Sequence, residues 1–213
     1  TGLPEIIRQS FCHVLNAKAT ARKVAEKCGK RYEEMNFIVA HLGGGISISA
    51  HEKGRIVDVI TDDGGPFSPE RAGSIPLNYI VEICYSGNFS QKEMMRRLRG
   101  AGGMKAHLGT PDGRAVERMI EQGDNKAKLI YEAQAYQIAK GIGELSPTLK
   151  GDIDAVILTG GLAYSTMLTD WVKEMVEFIA HVEVIPGENE MEALSLGALR
   201  ILSGEEEALE YME

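Results

Sequence analysis

The sequence predicts an α/β fold, a mixed five-strand sheet with helices on both faces. Two patterns carry that prediction. An apolar run at 36–42 passes through three glycines into two further strand-like stretches, which makes a meander. Later, apolar segments at 154–161 and 181–186 each precede an amphipathic helical stretch, which makes two β-α units. A meander joined to right-handed β-α units builds one sheet with both parallel and antiparallel neighbours.

Taken in order, residues 4–28 read as one helical stretch, with Pro4 near the first helical position and Gly29 as the C-cap. "NFIVAHL" (36–42) is short and apolar, hence a buried strand. Residues 46–50 alternate, with Ile46, Ile48 and Ala50 opposite Ser47 and Ser49, which predicts a half-exposed strand. "EKG" (52–54) is a tight turn, and 55–61 is the returning strand. The stretch 62–76 is dense in glycine and proline and reads as a loop. A helical region covers roughly 77–147 and is interrupted at 100–113. In 166–180 an apolar stripe of Leu168, Trp171, Val172, Met175, Phe178 and Ile179 predicts an amphipathic helix. The last helix is expected at 189–202, and the acidic tail 205–213 is expected to be solvated.

Composition narrows the function classes. The 213 residues are 44% hydrophobic and 25% charged, an ordinary globular balance. A net charge of −8 argues against a nucleic-acid partner. No apolar run is long enough to span a bilayer, and no signal peptide is visible. Cys12, Cys28 and Cys84 are scattered and odd in number, as expected of reduced thiols in a cytoplasmic protein. The chain opens at Thr1 on what reads as a helix entry, which suggests a fragment rather than a processed N-terminus.

The glycines carry the first chemical signal. Gly43, Gly44 and Gly45 join two strands, directly after His41. Successive glycines reach positive φ cheaply and let N–H groups converge on an anion, phosphate being the common one. A plain hairpin turn needs only one or two. Gly160 and Gly161 lie between a strand and a helix, where free N–H groups and the helix dipole suit a nucleotide; a simple β-α turn would look the same. A third cluster at 100–110 is either a mobile loop or a helix connector. There is no GxxxxGK[ST] motif.

Among charged residues, Arg71 sits between prolines that stiffen its loop, which suits a phosphoryl clamp as well as an ordinary surface arginine. His41 ends a strand beside the glycines, and His13 falls on the first helical stretch; either pattern also fits a core histidine. Asp62 and Asp63 suit either Mg²⁺ or a turn, and Glu188 and Glu190 are ambiguous in the same way. His51, His107 and His181 lack metal-ligand spacing, so no structural zinc is expected.

Four motifs in this order and spacing, "AHLGGGISISAHEKGRIVDV", "GGPFSPERAGSIP", "GGMKAHLGT" and "ILTGGLAYS", resemble the acetokinase family of the sugar kinase, Hsp70 and actin superfamily, on its butyrate kinase side. The resemblance covers essentially the whole chain. It implies an actin-like (ribonuclease H-like) ATPase domain, the second of two that enclose the ATP and acid sites, usually in a homodimer. Residues 1–35 would be a linking helix region, 36–204 the second domain and 205–213 a tail, with the first domain absent. The aspartate that the family places just upstream of "GLPEI" would be absent too.

By the same resemblance, His41 and Gly43 to Gly45 are similar to a phosphate loop, and Gly160 and Gly161 to the adenosine motif. Acetate kinases have GIGEN there; this chain has "GGLAYS", which leaves nucleotide contacts at Ala163 and Tyr164 without the usual polar groups. His13 resembles the "FHG" histidine that contacts the phosphoryl group in transit, although Cys12 and Val14 flank it here. Arg71 resembles the arginine that clamps that group, and Glu190 a late glutamate associated with Mg²⁺, with Glu188 close by. "HLGGG" in place of "HLGNG" favours butyrate over acetate.

The implied reaction moves the γ-phosphoryl of ATP, with Mg²⁺, to a short aliphatic carboxylate. The carboxylate is already nucleophilic at neutral pH, so catalysis would rest on alignment and charge neutralisation. A fragment would be inactive alone. The alternative is a non-catalytic nucleotide-binding module, which needs the glycine loops but neither His13 nor Arg71; a purely structural domain needs none of them.

Overall fold

Side chains along Asn36–Leu42 (β1) alternate so that Ile38, Ala40 and Leu42 enter one core and Phe37 and Val39 another. Both faces of this central strand are therefore buried, as its unbroken apolar pattern predicts. The computed structural model describes residues 1–188 and 190–208. Helix α1 (Val14–Lys27) precedes β1, and β2 (Ile46–Glu52) and β3 (Arg55–Ile60) complete the meander. Next come α2 (Leu77–Tyr85), α3 (Gln91–Leu98), α4 (Gly103–Leu108), α5 (Gly113–Glu121) and α6 (Asn125–Leu145). The chain then runs through β4 (Ala155–Gly160), α7 (Thr166–Val176), β5 (Val182–Pro186) and α8 (Glu190–Leu202).

The strand order is β3-β2-β1-β4-β5. The meander pairs antiparallel, while β1–β4 and β4–β5 pair parallel, so the sheet is mixed as predicted. Lys53 and Gly54 both take positive φ, at 45° and 85°, which closes the two-residue β2–β3 hairpin with the right twist. The larger core joins one face of the sheet to α6 and α7 through Tyr131, Ile138, Ile142, Leu168 and Val172. The smaller core packs Ala17, Ala21, Val24 and Ala25 of α1 on the other face.

Several expectations need correction. The first helix begins at Val14, and residues 4–13 are not helical. Residues 1–11 are all exposed, so no apolar face is buried to hold a helix there. Strand β2 is not half-exposed: Ser47 and Ser49 are as buried as Ile46 and Ile48, with Ser47 bonded to His13 and Ser49 to His51. The break at 100–113 contains α4. Helix α7 stops at Val176, which leaves Phe178 exposed and off the stripe. Glu206, in the tail, pairs with Arg22 and Arg200. The expected start of the last helix, Asn189, and residues 209–213 lie outside the described residues. No helix of the described residues is long and apolar enough to cross a membrane.

Candidate functional site

Three polar side chains form a row across the sheet. His41, near the end of β1, pairs in register with Ser47 on β2 and with Thr159 on β4. All three are buried and face the start of α1. His13 is the N-cap of α1, so it precedes the helix instead of lying on it. Its ring stacks on His41 with centroids 3.8 Å apart and planes 11° from parallel. His13 Nδ1 lies 2.9 Å from Ser47 Oγ, and the His13 backbone N–H donates to the same oxygen at 3.3 Å. One turn on, Asn16 Nδ2 reaches His41 Nδ1 at 2.9 Å and Thr159 Oγ1 at 3.2 Å.

Burial pushes the His41 pKa down to about 3, and the neighbouring His13 pushes in the same direction. Burial also lowers the His13 pKa, with Glu188 opposing. Both rings are therefore neutral near pH 7. Two imidazolium ions could not stack this closely without strong repulsion. Among the described residues His41 Nε2 has no hydrogen-bond partner; Glu188 Oε1 is 3.3 Å away.

The glycine turn follows the row directly. Gly43 N–H donates to Gly45 O at 3.1 Å, and Ser68 Oγ holds Gly44 O at 2.7 Å. A Cβ on Gly43 would lie 2.9 Å from His41 Nε2 and 3.0 Å from Glu188 Oε1, so only glycine fits. The second glycine turn abuts the first. Gly160 has φ +92°, and a Cβ there would lie 2.6 Å from Leu42 O. Because β1 and β4 are parallel neighbours, the turns leaving their carboxyl ends emerge side by side, where open α/β sheets bind ligands. Gly43, Gly44 and Gly161 line one cleft of about 460 Å³, together with Asp112, Glu117 and Glu188.

Arg71 is fixed from below. The stretch 100–108 is not a loose connector: Met104 N–H donates to Ser68 O at 3.1 Å, Lys105 N–H to Pro69 O at 3.0 Å and Gly100 N–H to Glu70 O at 2.7 Å. Arg71 also bridges Arg99 through the backbone. Its guanidinium pairs with Asp62, which Arg99 approaches at 3.1 Å. Asp62 is thus committed to two arginines, and that pairing holds the Arg71 side chain beside Gly45.

Residues 5–204 match the sequence profile of the acetokinase family. The chain belongs to the acetokinase family. The fold agrees. The structure superposes with a TM-score of 0.81 on an acetate kinase from Porphyromonas gingivalis, at 21% identity over 89% of this chain and 55% of that one. A propionate kinase from Francisella tularensis gives 0.79 at 23% identity, over 88% of this chain and 54% of the other. A ROK family protein from Streptococcus pneumoniae gives 0.56 at 14% identity, over 89% and 65%. The domain has the actin-like ATPase fold, and the chain spans little more than half the length of the kinases it matches.

In this acetokinase-family chain, the residues read from the sequence gather at one end of the sheet. His13 stacks on His41, His41 Nε2 lies against Gly43, Gly45 lies under Arg71, and Gly160 abuts Leu42 alongside. Glu188 borders the cleft, while Glu190 is exposed on the first turn of α8 and does not line it. Sequence reasoning missed Asn16, Ser47, Thr159 and Arg99. Each reads in isolation as an ordinary polar residue. The available signal was Thr159 standing in an otherwise apolar strand, and Ser47 lying across the glycine turn from His41.

Proposed function

We propose that this chain supplies the nucleotide- and phosphoryl-binding half of an enzyme that transfers the γ-phosphoryl of ATP to a short aliphatic carboxylate, butyrate in preference to acetate. The products are an acyl phosphate and ADP. Residues 36–204 act as the second of two domains, 1–35 lead into it and 205–213 form a tail. The opposite wall of the cleft is assigned to a preceding domain. One observation carries the reading: two glycine turns line a single cleft, and the histidine stack and Arg71 pack against the first of those turns. Preference for butyrate rests on the "HLGGG" wording alone.

The cleft suits a nucleotide bound with Mg²⁺. Gly43 and Gly44 offer backbone without side chains, and the His41 Nε2 atom facing Gly43 lacks a hydrogen-bond partner among the described residues. The carboxylates of Glu188 and Glu117 would repel a bare phosphate chain but accept a cation-bound one. No three His, Cys, Asp or Glu side chains cluster as a metal site among the described residues, so Glu188 or Glu190 would act singly, with phosphate oxygens and water. Mg²⁺, when bound, neutralises phosphate charge. The chain's own residues do the rest. Gly43 to Gly45 let the phosphates approach the backbone, Arg71 offsets charge on the equatorial oxygens, and the histidines donate hydrogen bonds to the group in flight. The carboxylate needs no base.

A homodimer belongs to the same proposal. Helix α2 is rich in apolar residues, yet none of them is buried, with Leu77 77% and Tyr85 88% exposed. Sedimentation showing only monomers would remove that part. For the activity, this chain alone should bind Mg-ATP weakly by calorimetry and turn over nothing. The gene product containing it should form acyl-hydroxamate from ATP and butyrate. Binding without hydroxamate would favour the non-catalytic module, and no binding in either form would defeat the nucleotide reading.

A further inference from the structure

The stacked histidines are held by partners whose donor and acceptor roles follow from the hydrogen bonds around them. Gly187 O is a carbonyl and can only accept; Thr159 Oγ1 donates to it at 3.3 Å. The Thr20 hydroxyl, 3.5 Å from Thr159 Oγ1, spends its own proton on Asn16 O at 2.7 Å. With its proton on Gly187 O, the Thr159 oxygen accepts from Asn16 Nδ2 at 3.2 Å, which turns the amide nitrogen toward the row. That same nitrogen donates to His41 Nδ1, so the proton of a neutral His41 sits on Nε2. Nε2 is the atom that faces Glu188 and the Gly43 backbone.

The His13 ring is set by a separate anchor. The His13 backbone N–H can only donate, and Ser47 Oγ accepts it. The serine proton is then free to reach His13 Nδ1, 2.9 Å away, an arrangement that leaves the ring proton on Nε2.

From these two chains of hydrogen bonds, we infer that Asn16 and Ser47 are positioning residues that hold His41 and His13 as their Nε2–H tautomers, giving the site two N–H donors on stacked rings. The use of those donors rests on the phosphoryl-transfer reading, because the equatorial oxygens of a transferring phosphoryl group are acceptors only. The tautomers themselves do not depend on that reading. With the opposite tautomer, His41 would turn a lone pair toward the phosphate loop and repel the anion it faces.

The test is long-range ¹H–¹⁵N correlation NMR on the whole chain, with ¹⁵N-labelled histidine, near pH 7. Both rings should show a bare Nδ1 and a protonated Nε2. A protonated Nδ1 on either ring of the unaltered protein overturns the inference, and this measurement needs no variant to fold. Asn16→Asp offers His41 only acceptors, so it should bring a proton onto His41 Nδ1; an unchanged Nδ1 signal overturns the role of Asn16. Ser47→Ala should release His13 into tautomer exchange and leave His41 as it was; an unchanged His13 overturns the role of Ser47. In the gene product that turns over, Asn16→Asp should lower kcat by about 10- to 100-fold while KM for ATP moves less than about 3-fold. Nε2–H tautomers without acyl phosphate formation would retire the proposed reaction and leave the inference standing. Nδ1–H tautomers in an active kinase would do the reverse.

Discussion

The backbone of Gly45 lies against the guanidinium of Arg71, so a methyl group on Gly45 would overlap that side chain. The obstructing atoms are the far end of a flexible chain, not backbone. Gly45→Ala should therefore leave the fold intact and push Arg71 aside. Its kinetic signature should copy Arg71→Ala: kcat lower by about 10²- to 10³-fold and KM for ATP nearly unchanged. Arg71→Lys should recover little, because an ammonium lacks the planar fork that meets Asp62 and phosphate together. Steady-state kinetics on the active gene product decides, and an unchanged kcat in Arg71→Ala removes Arg71 from the mechanism.

Gly103 makes the opposite case. It has φ +60°, and a Cβ there would overlap the Ser68 carbonyl oxygen, which is backbone and cannot yield. Gly103→Ala should cost more than about 2 kcal/mol of stability, measured by urea denaturation, and should loosen the whole Arg71 loop. A change below about 0.5 kcal/mol would show that α4 does not support that loop as described.

Acid should destabilise the fold early. His41 and His51 are both buried, and burial depresses each pKa to about 3. Between about pH 6.5, the ordinary histidine value, and pH 3, the unfolded chain binds protons that the folded one refuses. Stability is thus complete above that window and falls as pH drops through it, by up to about 1.4 kcal/mol per pH unit for each histidine. His51 is held by Tyr32 and Ser49, each at 2.8 Å, away from the glycine turns. His51→Gln should flatten the slope between pH 6 and 5, where few carboxylates titrate. An equal slope in the variant would mean that His51 protonates in place.

The two late glutamates can be told apart by their dependence on Mg²⁺. Glu188 borders the cleft beside Gly43 and Gly44, whereas Glu190 is exposed on α8. Glu188→Gln should raise the Mg²⁺ concentration needed for half-maximal rate by about 10-fold, and Glu190→Gln should change it little. The reverse result would return the metal role to Glu190.

Helix α6 carries two glycines with different duties. A Cβ on Gly141 would lie 2.6 Å from Ile48 Cδ1, so its absence lets the helix approach β2. Gly143 has open space around it. Gly143→Ala should stabilise by about 0.5–1 kcal/mol through helix propensity, and Gly141→Ala should destabilise. Thermal unfolding of the two single variants checks both signs.

The sequence by itself determined the strands, their succession along the chain and the glycine turns; their order in the sheet came only with the fold. Asn36–Leu42 appears in the structure as predicted, because an apolar run of strand length between turn signals has few other places to go. It also named His41, Gly43 and Arg71, since glycine clusters and proline-stiffened loops are local signals that need no partner to be read. What it could not decide was anything requiring two distant segments at once. Residues 4–13 look helical in isolation, yet no neighbour buries them. Ser47 and Ser49 alternate as though one face were wet, yet both are buried, bonded to His13 and His51. Asn16 and Thr159, 143 positions apart, are unremarkable until the parallel pairing of β1 and β4 sets His41 and Thr159 side by side beneath the first turn of α1. Periodicity along a chain records which way each side chain points. Only packing decides what it points at, and for a neutral histidine that decides which nitrogen holds the proton.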